Sequence, residues 1–145
     1  MSMAINICFA TKAPAEVQTA GPALRKAAAL GLGAGNAEKT VNVVFTGGPG
    51  IKALNRRFLG HDRLTDVIAF NYPPSPAPGA VWGEVYVCVP QARRQAAAMG
   101  HSLVTELMVL TVHGALHLAG MDDATAALRA GMNRKTAKIL KQLCD

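Results

Sequence analysis

Residues 113–123 read HGALHLAGMDD. His113 and His117 stand four apart, a separation that on an α-helix sets two side chains one above the other on the same face. Two imidazoles so placed can be aimed at one metal ion. Gly120 suits the left-handed turn that ends a helix and lets the chain double back. Asp122 and Asp123 then come round toward the histidines, and either can offer an oxygen. Two imidazoles and a carboxylate form a set that zinc accepts at ~2.0–2.2 Å, leaving a fourth position for water. That open position separates a catalytic zinc from a structural one. The same residues admit a plainer account. A histidine pair at helical spacing arises by chance, and an aspartate ahead of a helix is an ordinary N-cap. The apolar surroundings favour the metal, because a buried imidazole without a partner is costly.

One activity is disfavoured by the same stretch. Zinc peptidases of the H-E-x-x-H kind place their general base directly after the first histidine. Here that position is Gly114, which has no side chain and would leave open space beside the metal for a bulky polyanionic substrate.

The elements that must position this helix follow from pattern. Strands are expected over residues 4–10, 41–46, 65–72 and 81–89, the second rich in β-branched residues and the last alternating through Val85, Val87 and Val89. The segment PPSPAPG, between the last two, cannot be strand interior and most simply joins neighbouring strands. A helix is expected between residues 14 and 30, with Gly21-Pro22 marking its start or a break. GLGAGNA (31–37) reads as a turn, GGPG leads into a short helix over 51–59, and three helices follow at 91–99, 102–119 and 124–143. Ser102 is placed to cap the histidine helix. Leu128, Met132, Ile139 and Leu143 form the apolar stripe of the last helix, with Arg129, Arg134, Lys138 and Lys141 away from it.

The 145 residues are a single-domain length, half of them hydrophobic and 17% charged, which requires a packed core. Aromatics are only 5%, so that core is aliphatic. Fifteen Lys and Arg against nine Asp and Glu give a net charge of +6, a bias toward polyanions, nucleic acid first among them. Cys8, Cys88 and Cys144 make neither a C-x-x-C pair nor a disulfide framework, which implies reduced thiols and a cytoplasmic setting. MSMAINICFA lacks the basic start of a signal peptide. The longest apolar run, about 103–121, carries Glu106 and both histidines, and no membrane association is expected.

The histidine segment resembles the YbeY family, bacterial single-strand-specific endoribonucleases that act in ribosomal RNA maturation and ribosome quality control. The family pattern H-G-x-L-H-L-x-G-Y-D-H is met at His113, Gly114, Leu116, His117, Leu118, Gly120 and Asp122. A second family block, L-N-x-x-Y-R-G-x-D-x-x-T-D-V-L-S-F, is similar to LNRRFLGHDRLTDVIAF (54–70), and a G-D-I-x-I segment to GEVYV (83–87). The blocks keep the family's order and spacing across essentially the whole chain. The resemblance implies a single-domain α+β fold, a small mixed sheet of about four strands packed against helices, with a metal cleft at the histidine helix. It implies one zinc per chain on His113, His117 and Asp123; Asp122 is expected to cap the last helix or orient a ligand, and His61 and His101, which do not share the helical spacing, to lie outside the ligand set. Single-stranded and ribosomal RNA, and the ribosome or ribosome-assembly proteins, are the implied partners.

Two departures bear on activity. The third family histidine falls on Asp123, a shorter ligand whose charge makes the metal less electrophilic. The family arginine that would grip phosphate falls on Leu59, leaving Arg56, Arg57 or Arg63 as substitutes. The tyrosine and the serine of the patterns are Met121 and Ala69. Phe58, Phe70 and Trp82 are the few platforms on which a base could stack. The expectation is a metal-dependent endoribonuclease. The alternatives are a ribosome-associated member with weak or no turnover and, more distantly, a metal-dependent hydrolase of another small substrate.

Overall fold

The computed structural model describes residues 4–36, 38–59 and 65–144, apart from the side chains of Phe58, Leu59 and Cys144. His61 and Arg63 lie outside the described residues. Strands β1 (Ala4–Phe9), β2 (Thr40–Thr46), β3 (Val67–Asn71) and β4 (Val81–Cys88) form one sheet in the order β1-β2-β4-β3. β1 runs parallel to β2 and β2 parallel to β4, while β3 lies antiparallel to β4 at the edge. The proline-rich segment joins β3 to β4, so it does connect neighbouring strands. Because side chains alternate across a strand, Val41, Val43, Phe45, Val85 and Val87 all enter one fully buried core. The opposite face carries Asn6, Asn42, Glu84 and Tyr86, linked side chain to side chain.

Between β1 and β2 lie helices α1 (Ala15–Thr19) and α2 (Gly21–Leu32). Gly21-Pro22 marks a break, as expected: the helix is interrupted at Ala20, because Pro22 has no N–H to donate and is tolerated only in a first helical turn. After β2 come α3 (Gly48–Leu54) and a single π-helical turn, Asn55–Leu59, which the pattern had merged into one short helix. α3 covers part of the second sheet face, where Ile51, Ile68 and Cys88 form a small separate core. Helix α4 (Val89–Met99) follows β4 directly and ends at left-handed Gly100.

Helix α5 (Leu103–Leu118) lies across the main core. Ser102 caps it as expected, its hydroxyl accepting from the Thr105 N–H at 3.1 Å. Ten of its residues are buried, including Leu107, Leu110, Val112 and Leu116. Gly114 is where the helix touches the sheet. A Cβ there would stand 2.3 Å from Val85 Cγ1, so this position is a close helix–sheet contact and provides no space beside a metal. The expected opening at Gly114 is thus corrected: the glycine serves packing.

Helix α6 (Ala126–Cys144) closes the fold. Met132 and Ile139 pack with Ala27, Val112 and Leu116, whereas Leu128 is 43% exposed. The expected stripe therefore starts one turn too early, overrunning the surface that α2 and α5 offer. Arg129, Arg134, Lys138 and Lys141 are exposed. Cys8 and Cys88 are free thiols, one exposed and one buried. No helix among the described residues is long and apolar enough to cross a membrane.

Candidate metal centre

The end of α5 organises the site. The Gly120 N–H donates to the His117 carbonyl at 3.0 Å and the Met121 N–H to the Leu116 carbonyl at 2.9 Å. This is a Schellman turn, which needs a residue of positive φ, and Gly120 has φ +104°. The turn brings the Met121 carbonyl back over the last helical residues, where it lies 3.1 Å from His117 Nδ1. A carbonyl oxygen only accepts, so Nδ1 carries a proton, and the metal-binding form of the ring is the tautomer with its lone pair on Nε2. Nε2 faces Asp123, whose Oδ2 is 3.4 Å away. An imidazole held by a carbonyl at one nitrogen and presenting the other to a carboxylate has the form of a metal ligand with its orienting partner.

His113 stands one turn back on the same face. Burial holds its pKa below the ordinary value of 6.5 and His117 adds to that, while the carboxylates of Asp66, Glu106 and Asp123 push it up. The net direction keeps the ring neutral, the form that binds metal. No hydrogen bond from the described residues engages that ring.

The donor set suits a zinc-class ion in kind, with two imidazoles and a carboxylate. It is not fully assembled. Among the described residues no three His, Cys, Asp or Glu side chains already stand as a metal-holding group. His117 and Asp123 are the paired donors, and both are partly exposed. Asp122 faces elsewhere: its Oδ1 accepts from the N–H groups of Asp123 and Ala124 at 2.7 and 3.0 Å. The cap of α6 is Thr125, whose hydroxyl accepts from the Leu128 N–H at 3.1 Å. Asp122 thus shapes the turn that carries Asp123.

Of the basic residues, Arg56 and Arg57 lie on the exposed π-helical turn, and neither is a free cation. The two stacking platforms whose side chains are described are both engaged. Phe70 packs against the small core and meets Tyr86 edge to face at 6.1 Å. Trp82 lies under the Lys39 ammonium, 5.7 Å from the ring centroid.

Two features of the site escape a reading of residue types. Asp66, at the start of β3, accepts from the Gln95 amide at 3.2 Å and acts electrostatically on His113. Its signal was the T-D-V of the second block. His101 is tied through Nε2 to Glu106 Oε1 at 2.7 Å, which occupies it away from the ligand set. The signal there was a lone glutamate inside an apolar helix.

Comparison with known proteins bears on what such a site does. A family model described as endoribonuclease YbeY matches residues 12–144. Endoribonuclease YbeY of Elusimicrobium minutum is 40% identical over 97% of this chain and 100% of the relative. Endoribonuclease YbeY of Thermus thermophilus is 38% identical over 82% of this chain and 88% of its own. A solution structure of a Thermotoga maritima protein superposes with a TM-score of 0.63 at 28% identity, covering 96% of this chain and 88% of that one.

Proposed function

The chain belongs to the YbeY endoribonuclease family, and on that premise we propose that it is a metal-dependent endoribonuclease of single-stranded RNA. Ribosomal RNA during maturation and ribosome quality control is the substrate this reading assigns. One zinc-class ion would be held by His113, His117 and Asp123. When bound, such an ion polarises a phosphoryl oxygen or activates water. The chain's own residues do the rest. Met121 fixes the tautomer of His117, Asp122 holds the turn carrying Asp123, and the partly buried surroundings of His113 favour its neutral form. The exposed cations of α6 and of the turn after α3 draw the RNA backbone in. The observation that carries the proposal is the His117 ring, hydrogen-bonded through Nδ1 and open at Nε2 toward Asp123 Oδ2.

A second reading, a ribosome-associated member with little turnover, is favoured by one specific observation. Arg56 and Arg57 already have partners, so neither replaces the arginine missing at Leu59 without giving up a contact. Metal content of the purified protein, with stoichiometry, tests the first reading together with cleavage of an unstructured oligoribonucleotide. About one zinc per chain and cleavage, both lost in His117→Ala, are expected. Stoichiometric zinc without cleavage would select the second reading, and absence of zinc after loading would overturn the metal site.

A further inference from the structure

Helices α4 and α6 flank α5 and leave a groove of about 470 Å³ along its outer side. At one end is His113. At the other are His101 and Glu106, and the walls between are mainly aliphatic, with Ala98, Val109 and Leu140. Met99 stands at the rim, 72% exposed. Glu106 is only 6% exposed on a helix that is otherwise apolar there, and its partner is His101. A buried carboxylate is costly unless something uses it. Its direct hydrogen-bond partner, His101, lies outside the proposed ligand set.

We propose that this groove receives one nucleobase of the RNA strand whose phosphate lies at His113, and that His101, fixed by Glu106, is its polar contact.

This rests on the nuclease reading and adds to it where the substrate is gripped. Three observations favour a base over an apolar peptide. The groove shares His113 with the candidate metal centre, so a strand crossing that centre has a base beside it. The α6 wall also carries exposed Arg134 and Lys138, next in sequence to the lining residues Asn133 and Ala137. Phosphates flanking an inserted base would meet those charges. Finally, among the described side chains Phe70 and Trp82 are engaged elsewhere, whereas this groove offers a base aliphatic walls and the Met99 thioether, which packs well on aromatic rings. Glu106 holds His101 through Nε2, leaving Nδ1 as the ring's remaining polar atom for a base edge. Glu106 is a positioning residue, and His101 is the binding one.

The test uses the metal-free full chain and fluorescence anisotropy with a labelled unstructured oligoribonucleotide. Its nucleotides are replaced one at a time by an abasic ribose. A single abasic position near the middle is expected to weaken binding on the order of tenfold. Ala137→Trp fills the groove from an exposed helix position, so it should not impair folding. It is expected to weaken binding of the intact strand about as much and to make the protein indifferent to the abasic substitution. His101→Ala should lose part of that sensitivity. Glu106→Gln, which keeps a hydrogen-bond acceptor for His101, should retain most of it while Glu106→Leu does not. Equal binding of all abasic strands by the native chain would overturn the subsite, as would Ala137→Trp discriminating them as the native protein does. A changed oligomeric state of Ala137→Trp with unaltered RNA binding would assign the groove to a protein surface and also overturn it. Native binding with abasic sensitivity but no cleavage after zinc loading would retain the subsite while the nuclease reading fails.

Discussion

His117 is oriented by main chain, and that main chain depends on one residue. Only because Gly120 adopts φ +104° does the Met121 carbonyl reach His117 Nδ1. An L-residue there is strained, and Gly120→Ala should cost at least about 1 kcal/mol in a urea unfolding curve. It should also weaken zinc affinity by roughly tenfold or more, since orienting partners of metal ligands typically matter to that degree. Chelator competition reads the affinity. A stability loss with unchanged affinity would show that the carbonyl does not orient the ring. The two departures from the family pattern give a second test. Asp123→His restores an imidazole and Leu59→Arg a phosphate-gripping cation, and the double change should raise cleavage of unstructured RNA more than either alone. Their effects need not add, because both act on one transition state. Brisk native cleavage that Leu59→Arg does not improve would show another cation in that role. At this scale the histidine pair was legible because i and i+4 is a property of any helix. The capping assignment was less so. Asp122, Asp123 and Thr125 are all good N-caps, and which one wins depends on where the turn releases the chain.

At the scale of elements, the sites of closest approach hold the histidine helix in place. α5 rests on β4 through Gly114 against Val85. Gly114→Ala should therefore destabilise by about 1–3 kcal/mol through overpacking, read as a lower thermal midpoint. Val85→Ala in the same chain should recover part of the loss, because it removes the methyl groups the new Cβ would meet. Gly114→Ala without loss would mean that the helix has room to shift, and the site with it. Ser102→Ala should cost about 1 kcal/mol by removing the N-cap at the other end. Most elements were legible for a reason tied to burial: β2 and β4 alternate because one face packs on α5, and α5 is apolar because so much of its surface is covered. Boundaries were not, since they turn on local competition. The break at Gly21-Pro22 was signalled by its proline, but α4 begins two residues early, at Val89, because Pro90 suits its first turn. Gly114 was misread for a similar reason. A missing side chain signals either open space or close approach, and only the partner element decides between them.

The strand order β1-β2-β4-β3 belongs to the whole molecule, and no local pattern encodes it. Its consequence is a polar ladder on the sheet face away from α5. Asn6 donates to Asn42, Asn42 donates to Glu84, and the phenols of both Tyr72 and Tyr86 donate to the same Glu84 oxygen. Read along the chain, these residues are scattered through three strands and the end of a fourth. Only the pairing of Asn6 with Asn42 and of Asn42 with Glu84 in register assembles them. The ladder makes a prediction specific to its members, because the chain has just two tyrosines and both are in it. The hydrogen bond to Glu84, with burial and the carboxylate's charge adding, pushes the Tyr72 pKa up to about 12. Burial first, then Glu84, pushes Tyr86 up as well. Burial pushes Glu84 up too, but the bonds from Asn42, Tyr72 and Tyr86 together outweigh it and hold its pKa below the ordinary value. For Tyr72 the folded pKa lies above the unfolded one. Its contribution to stability is therefore complete below the ordinary value of 10.0 and is lost as pH rises from there toward about 12. Glu84 behaves oppositely, contributing above its ordinary value of 4.5 and losing that contribution as pH falls through its lowered pKa. A spectrophotometric titration of phenolate absorbance should accordingly show little ionisation near pH 10 in the native chain. Glu84→Gln removes the charge and one acceptor site, so it should bring Tyr72 back toward the ordinary value and flatten the alkaline fall in thermal stability. A native transition centred near pH 10 for both tyrosines would show that the two phenols do not share the Glu84 carboxylate in solution.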